Sequence, residues 1–164
     1  MAAVLRAGRA GPDVLLMRRA DHPQDPWSGH MSFPGGRQDG GDPDLLSTAL
    51  RETREEVGID MGTQAELLGR LDDVPAISRA RPTGMVITPF VFELLADVPL
   101  RPNAEVAEVF WAPIDPMIRG ELDTTRDYVH EGRTLVLPAY DVRGRIVWGL
   151  TFRMLQLLFE RLRP

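Results

Sequence analysis

Arg51-Glu52-Thr53-Arg54-Glu55-Glu56-Val57-Gly58-Ile59 decides how this 164-residue chain is read. The stretch closes a segment that reads as a helix over residues 43–57. Asp42 is a natural N-cap, Pro43 suits the first helical position, and Gly58 suits the C-terminal cap. Leu46, Leu50, Thr53 and Val57 line one side at helical spacing. At ~100° per residue, Glu52, Glu55 and Glu56 gather within roughly a third of the circumference on the other side.

Carboxylates at i, i+3 and i+4 repel one another. Near the C-terminal end of a helix they also meet the unfavourable pole of its dipole. Selection for stability alone would place Lys or Arg there. One reading is a solvated acidic face relieved by Arg51 and Arg54. The other is a site for hard divalent cations, because Mg²⁺ takes oxygen ligands from a few carboxylates together with substrate phosphates. Just upstream, Ser32-Phe33-Pro34-Gly35-Gly36 reads as a short strand ending in a turn. The Gly-Gly step lies close enough to fold back beside the acids, and it lets a ligand approach the main chain.

Working outward, residues 13–18 suit a buried strand, and a connection rich in Pro and Gly runs from Arg19 to Met31. Beyond the helix, 65–72 and 85–95 read as strands, the second nearly continuously apolar and therefore central. Residues 106–111 read as a strand, 113–119 as a short helix, 133–137 and 145–148 as late strands, and 150–162 as a packing helix. Helices before, among and after strands indicate an α/β sandwich around a mixed sheet, organised as a single domain over 1–164.

Composition narrows the function. The chain is 43% hydrophobic and 26% charged, as ordinary globular proteins are. It has no cysteine, so disulfides and Cys-based metal sites are excluded. A net charge of −5 argues against general nucleic-acid binding. The N-terminal residues do not read as a signal peptide, and the most apolar segment, 85–95, is too short for a membrane span and contains Pro89 and Glu93. The expectation is a cytoplasmic protein, monomeric or homodimeric, that acts on a small molecule.

The acidic stretch resembles the Nudix box, G-x5-E-x7-R-E-U-x-E-E-x-G-U, where U is a bulky aliphatic residue. Gly36 matches the opening glycine, and Arg51, Glu52, Glu55, Glu56, Gly58 and Ile59 match the second half without a gap. Phe33-Pro34-Gly35 and the segment Glu105 to Pro113 are also similar to the family, so the likeness runs over residues 13–113. Thr53 stands in place of the aliphatic U. Asp42 stands where the first Glu falls, with eight residues rather than seven between it and Arg51.

The resemblance implies the Nudix α/β/α sandwich with a loop–helix–loop beside a mixed sheet. It implies Mg²⁺, with Mn²⁺ as substitute, held by Glu52, Glu55 and Glu56, with the Gly35 carbonyl as a further ligand. It gives Arg51 the task of orienting the acids through a salt bridge. The implied reaction is hydrolysis of a P–O–P bond in a nucleoside-diphosphate-linked substrate. An additional acid from outside the helix is either Glu105, at a loop-to-strand junction, or Glu108.

The substrate is less marked. A branch of the family acting on coenzyme A and its derivatives carries a motif close to L-L-T-x-T-x-S-A-x3-R-x3-G-x3-F-P-G-G. This chain keeps Leu15-Leu16, holds Gly29-x3-Phe33-Pro34-Gly35-Gly36 in register, lacks the threonines, and has Asp25 at the arginine position. Nucleotide sugars, dinucleoside polyphosphates and (d)NTPs stay open as substrates, as does a non-catalytic nucleotide-binding module. Arg19, Arg37, Arg79 and Arg81 suit phosphate, as Gly36 suits close approach. Trp27, Phe33 and Tyr140 are the rings that could stack on a base. His22, His30 and His130 show no metal-ligand spacing.

Overall fold

The computed structural model describes residues 1–78 and 81–162, with side chains described outside 77–83. Strand β1 (Ala2–Gly8) turns back into β2 (Gly11–Arg19), and a long loop leads to β3 (Met31–Ser32). Helix α1 (Leu45–Val57) and the short α2 (Met61–Gln64) follow, then β4 (Ala65–Arg70), β5 (Val74–Ser78), β6 (Arg81–Ile87) and β7 (Phe90–Leu94). The chain continues through β8 (Val106–Pro113), α3 (Ile114–Ile118), β9 (Asp123–His130), β10 (Arg133–Val142), β11 (Arg145–Trp148) and α4 (Gly149–Leu162).

The main sheet is mixed. β2 is its axis: β8 runs antiparallel along one edge, and β1 and β3 share the other. β1 pairs parallel with β7, Val4 opposite Phe92, and β4 closes that side. Side chains alternate across such a sheet, and here both faces are covered. Ala2, Val4, Leu15, Met17, Phe92 and Leu94 pack under α1 and α2 with Ala49, Val57, Ile59 and Met61. Ala3, Leu5, Val14, Leu16, Val91 and Ala112 face α4, meeting Met154, Leu155, Leu158 and Phe159. This is an α/β/α sandwich. A second sheet, β11-β10-β9, lies on the α4 side. Among the described residues no helix is long and apolar enough to cross a membrane.

Several boundaries differ from the sequence expectation. α1 starts at Leu45 rather than 43, because Asp44, not Asp42, caps it: the Asp44 carboxylate accepts the Ser47 N–H at 2.7 Å. Pro43 therefore precedes the helix. Gly58 does close it, in the left-handed conformation with φ +77°, its N–H on the Arg54 carbonyl at 3.0 Å. The run 85–95 is two strands, broken at Thr88-Pro89 where the Pro89 carbonyl turns to accept the Leu71 N–H. β1, α2, β5 and β9 have no counterpart in the sequence expectation.

Candidate active site

The acidic side of α1 abuts the Gly35-Gly36 step and the segment 101–105. Glu56 is 2% exposed, and its Oε2 accepts the Gly35 N–H at 2.7 Å. Gly35 holds φ +136°, a region side chains avoid. At Gly36 the requirement is space: a Cβ there would stand 2.4 Å from Glu52 Oε1. One glycine donates to an acid and the next leaves room for another. Burial pushes the Glu56 carboxyl up to about 7. The Gly35 N–H opposes that rise, the charges of Glu52 and Glu105 add to it, and Arg19 counters them.

Arg51 gathers the remaining acids. Its Nη1 lies 2.9 Å from Glu52 Oε1 and 3.1 Å from Glu55 Oε2. Nε and Nη2 take the two oxygens of Asp42 at 3.0 and 2.8 Å, and Nη2 reaches the Arg37 carbonyl at 3.4 Å. The hydrogen bond from Arg51 holds the Asp42 carboxyl well below the usual range, helped by the Asp39 N–H and the Thr48 hydroxyl. Asp42 thus anchors the loop that precedes α1 to the middle of the helix. The one-residue lengthening separates the capping role, taken by Asp44, from this anchoring role.

The C-terminal carbonyls of a helix need donors. Here the Asn103 N–H donates to Glu56 O at 3.0 Å and the Arg101 N–H to Val57 O at 2.8 Å. Glu105 follows, its N–H on Asn103 Oδ1 at 2.9 Å and its carbonyl accepting the Ala20 N–H at 2.8 Å. Its backbone is fixed where its charge acts on Glu56. Glu108 faces elsewhere: Arg145 Nε donates to its Oε1 at 2.8 Å and holds its carboxyl low. Among the described residues no three His, Cys, Asp or Glu side chains converge at metal-ligand spacing. Glu52 and Glu55 lean on Arg51, and Glu56 on Gly35.

The arginines separate. Arg19 stands beside this cluster, Nε and Nη2 each 2.7 Å from Asp25 Oδ2. Arg37 is exposed and only its carbonyl meets Arg51. Arg79 lies outside the described residues, and of Arg81 only the backbone is described, paired with Ser78. Phe33 is corrected: its ring is fully buried in the core, with no face left to stack on a base. Its truncation to alanine would cost about 3–5 kcal/mol of stability. Tyr140 is likewise a core ring, its hydroxyl accepting from Gln156. Asn103 occupies no periodic or motif position, and Asp25 is marked in the sequence only as a departure from the arginine of the coenzyme A motif, so neither role is legible there. In the sequence Asp42 is marked as an N-cap and as the box's displaced first acid, not as a partner of Arg51.

The NUDIX domain family model matches residues 1–131. The Nudix hydrolase NudL of Yersinia pestis (strain Pestoides F) is 34% identical over 156 residues, spanning 93% of this chain and 74% of NudL. NudL of Yersinia pseudotuberculosis (serotype O:1b) matches to the same extent, 34% over 156 residues. Of solved structures, the NUDIX domain of Shewanella oneidensis NrtR complexed with ADP ribose has a TM-score of 0.60 at 19% identity, covering 99% of this chain and 85% of that one. A C. elegans Ap4A hydrolase binary complex gives 0.59 at 19% identity, covering 72% and 80%. These structures show the shared fold. The chain belongs to the Nudix family. It is a pyrophosphohydrolase of that family, a class that works with divalent metal ions.

Proposed function

We propose that this domain hydrolyses the P–O–P linkage of a nucleoside-diphosphate-linked substrate, coenzyme A and its derivatives foremost, with Mg²⁺ held by Glu52, Glu55 and Glu56. The observation that carries this reading is Glu56, buried on the Gly35 N–H between the charges of Glu52 and Glu105. A buried carboxyl pushed up by burial and two like charges marks a place short of positive charge. The all-oxygen donor set suits a hard cation, and the Gly35 carbonyl adds a further oxygen.

Held by these carboxylates, a divalent cation would supply compensation for charge developing on the diphosphate and activation of the attacking water. Arg51 holds Glu52 and Glu55 on one side of the helix. Glu105 receives the proton released by the attacking water. Gly36, without a side chain, leaves the Glu52 carboxylate its place beside the main chain. Arg19 contacts phosphate, with Arg37 and Arg81 as further contacts. Coenzyme A is favoured by Leu15-Leu16 and the register from Gly29 to Gly36. At the motif's arginine position, Asp25 instead orients Arg19, so a guanidinium is still presented.

The test is a screen of purified protein against coenzyme A, ADP-ribose, dinucleoside polyphosphates, nucleotide sugars, NADH and (d)NTPs. Two phosphate-bearing products, formed with Mg²⁺ or Mn²⁺ and abolished by EDTA, are expected. Metal-independent cleavage of a phosphomonoester with no action on any diphosphate overturns the reading.

A further inference from the structure

One face of the β9-β10-β11 sheet carries a group of rings that the hydrolytic site does not use. Along β9, Arg126, Tyr128 and His130 point to the same side, and the pairing of Ala139 with Trp148 puts Trp148 there too. Tyr128 meets Trp148 with ring centroids 5.6 Å apart and lies nearly parallel to His130, at 10° and 6.2 Å. The Arg126 guanidinium sits 4.8 Å over the Trp148 ring. His30, from the loop before β3, completes the group 4.8 Å from Trp148. All four rings are half-buried, leaving part of each to solvent.

A core cluster would be buried and aliphatic-rich; this one is open and cationic at its edge. It is also distinct from the exposed aliphatic patch of the same hairpin. Val129 and Val136, 69% and 64% exposed, lie on the opposite face by strand alternation.

The ring face joins the acidic site through His30. The His30 carbonyl accepts the Arg19 N–H at 3.0 Å, and its imidazole stands close enough to Asp25, Arg19 and Arg126 for their charges to act on it. Arg19 in turn acts on Glu56. A strip therefore leads from the carboxylates, past the Arg19–Asp25 pair, to the rings.

We infer that the Tyr128–His130–Trp148 face, with His30 and Arg126, is a stacking platform for the purine base of the substrate. The inference rests on the proposed hydrolysis only in taking that base to belong to the hydrolysed compound. Diphosphate oxygens seek cations and guanidinium groups, whereas a neutral planar base seeks exposed π faces and a stacked cation. This strip offers the first at one end and the second at the other. Base–aromatic stacking accounts for roughly tenfold to a hundredfold in affinity.

The test uses AMP and ribose 5-phosphate as metal-free probes, followed by tryptophan fluorescence and calorimetry. AMP is expected to bind and quench Trp148 emission, with ribose 5-phosphate binding far more weakly. Tyr128→Ala is expected to weaken AMP about tenfold while Tyr128→Phe retains affinity. Trp148→Leu should remove most of the quench. If that variant misfolds, Tyr128→Ala, verified by circular dichroism, decides alone. Equal binding of the two probes, or unchanged AMP affinity in Tyr128→Ala, overturns the platform. So does a variant that changes oligomeric state and not AMP affinity, which makes the face a contact between copies. AMP binding by a protein that cleaves no diphosphate overturns the hydrolytic reading and leaves the platform standing. Diphosphate cleavage with no preference for AMP does the reverse.

Discussion

The Gly36 α-carbon and the Glu52 carboxylate are so close that a methyl group on the former would stand 2.4 Å from Oε1 of the latter. The obstructing atom is the far end of a flexible side chain, and Gly36 has no positive φ to strain. Gly36→Ala should therefore displace Glu52 at little structural cost. We expect a melting temperature within about 2–4 °C of the original, matching a change near 1 kcal/mol, and a rate loss of about tenfold or more. A variant with full activity places Glu52 outside the reaction.

Glu56→Gln keeps an oxygen for the Gly35 N–H and removes the charge. If Glu56 holds the cation, several kcal/mol of charge stabilisation is lost, on the order of a thousandfold in rate. The pH dependence has a fixed sign. The folded-state value of about 7 lies above the ordinary 4.5, so between these values the native state binds more protons than the unfolded chain. Stability of the metal-free protein should fall as pH rises through that window, by on the order of 3 kcal/mol from this group. Melting curves in EDTA at pH 5 and pH 8 check this. Glu56→Gln should flatten the difference; an unchanged slope assigns it to other groups.

Arg51→Lys tests the clamp. An ammonium cannot reproduce the forked contact to both Asp42 oxygens while also reaching Glu52 and Glu55. The segment 37–42 should become more susceptible to proteolysis, and activity should fall by about tenfold to a hundredfold, as supporting contacts of metal sites commonly do. Wild-type proteolysis and rate in Arg51→Lys would reduce the clamp to a surface ion pair.

Glu105 and Glu108 should separate cleanly. Glu105→Gln is expected to lower the rate and alter its pH profile. Glu108→Gln should act on stability alone, through Arg145. Because Arg145 depresses the Glu108 pKa, that contribution is present above the unfolded carboxylate value and is lost as pH falls through the folded one. Melting curves at pH 7 and pH 3 should therefore differ between wild type and Glu108→Gln at the higher pH only. A rate loss confined to Glu108→Gln exchanges the two assignments.

What was legible in the sequence was what short-range chemistry dictates. α1 announced itself through its apolar side, its acids and Gly58, and the Gly-Gly step through the absence of side chains. Its first turn was misplaced because Asp42 and Asp44 are equally good caps, and only the Arg51 contact, nine residues on, selects between them. β1 carries no alternation, since both faces of the sheet are covered. β9 reads as polar because its side chains are largely exposed. Phe33 could not be sorted from the exposed rings, as stacking and core packing call for the same residue. Asp25, Asn103 and His30 take their parts only through folding.

The fastening of Arg101 and Asn103 to the last carbonyls of α1 makes the segment 101–105 an adjustable arm. Its root is fixed by main-chain contacts that any sequence can make, and its tip carries the acid. Lengthening or shortening it by a residue would re-aim Glu105 while leaving α1 and its carboxylates in place. Position and charge are thus separable: α1 fixes where Glu52, Glu55 and Glu56 stand, and the segment 101–105 fixes where Glu105 stands beside them.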